Sequence, residues 1–443
     1  TVSTIGGATN ARIDKAQVTS DKDVKVIARD YANNMGALGT GSIGGVSGAV
    51  GIASNTTTIN RDTVAEVTGR NRTANDIKAR DFTVEAVAHH GIASIDVAGS
   101  IAAVGVANAN DVALLSGRTR AGISNVNASL SRNFNLEANR KANLHLITGT
   151  AGIGAVGAGV SVNVVQDDSE TEAAAKTSRI AFTANDVSHA SVKAVNRSDI
   201  EWRTLAVGGG IVGGAAGVGV ANFKHCVAAS LQDTTIGAAD QRAKTVSVEA
   251  KNVVKAAADD KEIPVSIGGV SVGVRVATLD SRTTATVTGG GLYAAQDLSI
   301  RAQEDRNVNF SVANYGINGG EVTVNTAVIT SGREVEDAYE REGGKKTDGS
   351  AATKTKADMK KAYEDASAIL RQNAMKSTDA FGKGVDGPAV TPSRGSKDGL
   401  SGAEVKVTGA ELSAGGVMSL RSQETNNLKA VQRKNGGSLL SVN

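Results

Sequence analysis

Three glycine clusters in this 443-residue chain carry the spacing GxGxxG: Gly39, Gly41 and Gly44; Gly152, Gly154 and Gly157; Gly208, Gly210 and Gly213. Such a cluster cradles a dinucleotide pyrophosphate when a helix follows it and an acid stands about 20 residues further on. Here the copies lie 113 and 56 residues apart, in phase with a longer repeat. The glycines are therefore read as structural, and no cofactor is expected.

The other groups able to do chemistry are scattered. Among the five histidines, His89 and His90 would point to opposite faces of a strand, and so would His225 and the single cysteine, Cys226. His145 and His189 stand alone, so neither a zinc site nor a Cys–His nucleophile is expected. Lys25, Glu85, Glu137, Lys193, Glu249 and Arg301 share one phase of the repeat, but their signs are mixed. That pattern suits a solvated face on which neighbouring charges relieve one another. A glycan-cleaving site would need paired carboxylates in a groove, and sugar platforms are scarce, Trp202 being the only tryptophan. The GGxGxD calcium signature is absent. No catalytic, cofactor or metal residue is assigned.

Residues 333–398 differ from the rest. Met359, Tyr363, Ala366, Leu370 and Ala374 recur at helical spacing, and Thr355 with Asp358 makes a capping box. The segment is expected to be a helical and loop excursion projecting from the body. Tyr363, Leu370, Lys360 and Lys361 are its candidate partner-binding residues.

These groups must be positioned by a repeat. The strings VKVIA, VEA, LEA, VKA, VEA and IRA end at Ala28, Ala86, Ala138, Ala194, Ala250 and Ala302, spaced by 58, 52, 56, 56 and 52 residues. A degenerate copy ends at Ser422, one insertion later. A second marker places Ala65, Ala121, Ala174, Ala229 and Ala285 at nearly the same period. Between the markers lie glycine-rich apolar stretches, and each segment alternates apolar with polar residues and is rich in Val, Ile and Thr, as strands are. Three strand segments per period suggest a coil of about 18 residues. The expected fold is all-β, a right-handed parallel β-helix (β-solenoid) with one helical insertion, of about twenty coils and roughly 100 Å. Residues 1–332 would form its repeats, 333–398 the insertion, and 399–443 a truncated continuation. Pro264, the one proline inside the repeats, is expected at a strand edge. Both ends resemble interior repeats rather than caps, which suggests a piece of a longer array.

Composition narrows the partners. Forty-eight basic against 45 acidic residues give a charge of only +3, so no nucleic-acid footprint is expected. One cysteine allows no internal disulfide. Residues 32–60, 142–166 and 204–223 carry no Asp, Glu, Lys or Arg and superficially resemble membrane spans. Their glycines and strand-like alternation argue against spanning helices.

The cassettes SIGGVSGAVGIASN, TVAEVTG and FTVEA, repeating every 55 residues or so, resemble the repeat region of the leukotoxin-family filamentous adhesins of Gram-negative bacteria, related to the two-partner-secretion exoproteins. The resemblance implies a right-handed parallel β-helix, export through an outer-membrane secretion pore, and a secreted or cell-surface role in host-cell attachment or toxicity. The expected function is thus a non-catalytic rod segment meeting a host-cell surface protein or glycan. A polysaccharide-cleaving lyase or glycosidase on the same fold is the alternative.

Overall fold

The structure is a computed structural model and describes residues 1–70, 76–183, 188–315, 317–331, 401–434, 437–438 and 441–442. Among them there is no helix; every named element is a strand. The excursion expected at 333–398, with Lys360, Lys361, Tyr363 and Leu370, lies outside the described residues.

The chain opens with β1 (Val2–Asp14) and the short β2 (Val18–Thr19). Then a pattern of two long strands and a short one sets in: β3 (Val24–Ile43), β4 (Ala49–Thr68) and β5 (Ile77–Ala79). It recurs as β6 (Phe82–Ile101), β7 (Val104–Ser124) and β8 (Asn127–Leu130), and as β9 (Phe134–Ile153), β10 (Val156–Lys176) and β11 (Arg179–Phe182). In the next round both long strands fuse into β12 (His189–Gln232), followed by β13 (Thr235–Ile236). Then come β14 (Thr245–Leu279), β15 (Arg282–Thr288) and β16 (Gly291–Ala294). They are followed by β17 (Leu298–Asn314), β18 (Ile317–Ser331), β19 (Gly402–Thr408) and β20 (Glu411–Ala414), and last by β21 (Met418–Lys434), β22 (Gly437–Ser438) and β23 (Ser441–Val442).

All pairing is parallel and joins each strand to its equivalent one repeat later. Val2 lies beside Thr56, Phe82 beside Phe134, and Val156 beside Val212. This corrects the coil size inferred from the sequence. The segments of one repeat are not laddered to one another, so the whole repeat of about 55 residues is one tier rather than three coils. The short-strand sheet is seven strands deep. At about 4.8 Å per strand the stack is roughly 30 Å tall, whereas a 20-residue arm runs roughly 65 Å sideways. After the excursion the ladder resumes: β19 pairs with β15, β20 with β16 and β21 with β17, so Ser422 lies beside Ala302.

The first alanine marker forms one buried column from Ala28 to Ala302 in register. The second runs through Ala65, Ala121, Ala173, Ala229 and Ala285; Ala173 takes the place expected for Ala174, which pairs with Gly122 and Ser230 instead. Pro264 sits within β14 opposite Gly208, not at a strand edge. It lies close to the turn joining the arms.

Two arms and the short-strand sheet enclose the core. Near the short strands, Phe82 and Phe134 stack at 5.8 Å among Val, Ile, Leu and Ala. Farther out, between the arms, Trp202 meets Phe310 edge-on at 5.1 Å. Toward the outer turns the filling shrinks to alanine, as at Ala53, Ala98, Ala107 and Ala109. There the arms converge until backbone nearly meets backbone. A Cβ on Gly152 would lie 2.0 Å from the Ala158 carbonyl oxygen, and one on Gly208 would lie 2.0 Å from that of Gly214. These members of the GxGxxG clusters are thus packing residues, as expected from their phase. At the corner before the short strand the chain turns through a left-handed residue in every tier but that of Gly69, at Lys15, Asn125, Thr177, Asp233, Gly289 and Gly409. Glycine fits that conformation without strain; the β-branched Thr177 does not.

Candidate functional site

The groups with the strongest chemistry are buried in the stack. Strand alternation puts every second residue inside, and along the first arm one inward position carries polar residues in nearly every tier. Asp30, Ala88, Arg140, Asn196, Asn252, Glu304 and Glu424 follow one another in register there. Ala88 interrupts the series, and from Arg140 onward the polar members link into a spine. The Arg140 guanidinium donates to Asp167 on the facing arm at 2.7 and 3.1 Å and to Asn196 at 3.0 Å. Asn196 donates to Asn252, and Asn252 to Glu304, each at 2.8 Å. Arg306 meets Glu304 at 3.2 Å, pairs with Glu424 and donates to Ser401 Oγ at 2.8 Å. At the other end Asp30 accepts from Arg61 at 2.8 Å and lies 3.2 Å from His90 Nε2.

Burial alone would raise these carboxyls, and the outcome depends on the partner. At Asp167 the desolvation is outweighed by Arg140 and His225, so the carboxyl is held far below the usual range. At Asp30 the hydrogen bonds from Arg61 and His90 outweigh it too. Glu304 goes the other way, because burial exceeds what Arg306 and Thr283 return. Burial, with Arg140 nearby, pushes His90 down against the pull of Asp30.

A second polar group lies nearer the outer turns. Asp111 accepts from Ser94 and, at 3.5 Å, from Asn55, yet burial pushes it up to about 6. Asp96 is fully buried, its two oxygens have no hydrogen-bond partner, and burial together with Asp111 raises it to about 7. In a later tier Arg275 pairs with Asp260 and donates to Thr204. Beside it, burial and Asp260 push Glu262 up to about 10.

Ser198, Asp167 and His225 share one site, and the geometry is not that of an activated serine. Ser198 Oγ donates to Asp167 Oδ2 at 2.9 Å, and His225 Nε2 lies 3.0 Å from that same oxygen. The carboxylate, not the imidazole, faces the hydroxyl, and all three side chains are sealed inside. Such a constellation holds tiers together. Among the described residues, no group of three or more His, Cys, Asp or Glu is placed to hold a metal.

The sequence missed this spine, although a signal was present. Asp30 sits in the inward phase of Val24, Val26, Ala28 and Ala32, and Arg140 in that of Phe134, Leu136 and Ala138. On the outside, Glu85, Glu137, Lys193, Glu249 and Arg301 do stack in register, with Lys193 and Glu249 at 3.7 Å. Lys25 is not in that ladder; Ile27 occupies its place, and Arg29 reaches Glu85 at 3.3 Å. His89 faces outward beside Tyr31 while His90 is buried, and His225 is buried while Cys226 is exposed, as alternation required.

Among the described residues no helix is long and apolar enough to cross a membrane. The chain matches no protein-family pattern, no curated protein and no solved structure.

Proposed function

We propose that the chain is a non-catalytic segment of a secreted or surface-anchored bacterial adhesin or toxin, built as a right-handed parallel β-helix. Export through an outer-membrane pore and contact with a host-cell protein or glycan belong to the same reading. The observation that supports it is the spine from Arg140 to Glu424. Arg140, Asn196, Asn252 and Arg306 each bond to a polar group of the next tier, which is what a stackable scaffold needs. A β-helix of this kind is modular, each tier touching only its neighbours.

The test has two arms. Deleting one whole tier, residues 134–189, should leave a folded chain with unchanged β circular dichroism if the stack is open-ended; a closed barrel would lose its fold. The purified chain should bind host cells or an arrayed glycan without shortening it. Release of new sugar ends or unsaturated products would replace this reading with that of a polysaccharide-cleaving enzyme.

A further inference from the structure

The exposed large apolar side chains are concentrated at one place, the outer edge where the two arms of each tier join. Val46 is 99% exposed and Ile43 is 88% exposed. Ile101 and Val104, Ile153 and Val156, and Ile211 with Val212 repeat the feature in the next three tiers, and Ile267 continues it. Ile101 lies beside Ile153, and Val104, Val156 and Val212 stand in one column, so they form a continuous ridge. Patches of this kind mark an interaction surface.

Three features of the ridge select its partner. The first is charge. Residues 146–166 and 204–223 contain no Asp, Glu, Lys or Arg, and in the neighbouring tiers Asp96, Asp111, Glu262 and Arg275 are turned inward and buried. Among the nearest outward charges on these arms are Arg118, Lys141, Asp168, Arg203, Lys224 and Lys261. The second is the backbone. Even the turns are bonded tier to tier: Val156 N donates to Ala103 O at 3.1 Å, Gly154 N to Gly209 O at 3.0 Å and Ile211 N to Ala155 O at 3.0 Å. The turn amides of Gly154, Val156, Ile211 and Val212 are therefore paired without water, as hydrocarbon demands. The third is shape. The arms converge on glycine, so the ridge is a narrow convex wedge with apolar residues on its crest and on both flanks, as at Val97, Leu205 and Val50. A flat protein partner would cover only one of those surfaces.

We propose that this edge inserts into the outer layer of a lipid bilayer, lying in it rather than crossing it. The crest is aliphatic and carries neither cations nor aromatic rings, so the interaction is with the acyl boundary and not with anionic headgroups. Insertion of about 5–10 Å, the depth reached by interfacial helices, would bury the crest residues and stop short of the charged collar. This inference stands apart from the adhesin reading and needs no excursion segment.

The test is flotation of the whole chain with zwitterionic phosphatidylcholine vesicles. Wild type is expected to float, with little change on adding salt. The triple variant Ile101→Asp, Ile153→Asp, Ile211→Asp should bind at least tenfold more weakly while keeping its β circular dichroism and melting temperature. Tyr31→Ser, exposed but away from the edge, should float like wild type. As a fold-sparing probe, Ile153→Trp should show an added blue-shifted emission with vesicles. Absence of flotation, flotation unaffected by the triple variant, or an unshifted Trp would overturn the proposal. So would lipid-free self-association abolished by the same variant, which would make the ridge an interface between copies.

Discussion

Arg140 and Asp167, 27 residues apart and on opposite arms of one tier, meet at 2.7 Å with both side chains sealed from solvent. Their contact ties the two faces of the stack at mid-height. Removing one partner leaves a buried charge without its counterion, and the cost of that is about 3–5 kcal/mol. Replacing both with uncharged groups removes the desolvation as well. Arg140→Met and Asp167→Asn should each lower the urea midpoint strongly. The double variant Arg140→Met, Asp167→Asn should lose less than the sum of the two single losses, the asparagine amide oxygen still accepting from Ser198. Additive losses in the double variant would show that the pair is not coupled.

The glycines of the converging arms can be sorted by what a methyl would meet. At Gly208 it would lie 2.0 Å from the Gly214 carbonyl oxygen, a backbone atom on the facing arm; at Gly268 nothing lies within 4 Å. Gly208→Ala should therefore destabilise by about 1–3 kcal/mol, as overpacking does. Gly268→Ala should stay within about 0.5 kcal/mol of wild type. Thermal unfolding of the two variants side by side checks this.

How much of this was legible in the sequence can be traced through particular residues. The alanine columns report which residues lie beside each other, and from Ala28 to Ala302 that reading holds residue by residue. The tier size did not follow, because three strand segments per period read as three coils, and a repeat in sequence does not say whether its segments pair with one another or only with their copies. At Gly152 and Gly208 glycine serves close packing of one arm on the other near the outer turn. Ala174 was preferred to Ala173 because three alanines in a row carry no phase of their own. The buried spine is legible only through strand parity: Asp30, Arg140 and Glu304 stand in the inward phase of their strands, which a count of charges does not register. The candidate residues Lys360, Lys361, Tyr363 and Leu370 lie outside the described residues, so their place rests on sequence alone.

Three buried carboxyls give the stack an unusual pH dependence. Asp111 titrates at about 6, Asp96 at about 7 and Glu262 at about 10, all above the ordinary carboxyl value. The folded chain then holds more protons than the unfolded one from pH about 4 upward, and stability falls with rising pH by up to about 1.4 kcal/mol per unit for each fully titrating group. His90, pushed down by burial, works in the opposite sense below its unfolded value, and Asp167 and Asp30 lose their contribution only in stronger acid. The net expectation is a maximum on the acidic side of neutrality. Asp96→Asn should flatten the decline between pH about 4 and about 7. Urea midpoints across that range decide it, and an unchanged slope in the variant would remove Asp96 from the account.

The ladder resumes across the excursion as though the chain had not left. Ser331, the last residue of β18, and Ser401, just before β19, stand with their hydroxyl oxygens 3.4 Å apart. Ser401 also donates to the Leu279 carbonyl at 3.1 Å and accepts from Arg306 at 2.8 Å, so the point of return is anchored in the tier below and in the spine. A gap this small can be closed by a short link. Replacing residues 333–398 with a short Gly/Ser loop shortens the closed loop roughly tenfold, which changes the closure entropy by only about 2 kcal/mol and in the stabilising direction. The shortened chain should keep its β circular dichroism and unfold within a few degrees of wild type. Attachment to host cells carried by Lys360, Lys361, Tyr363 or Leu370 should disappear with the segment. Loss of the fold would mean that the excursion packs on the stack, and undiminished attachment would place the binding surface on the tiers themselves.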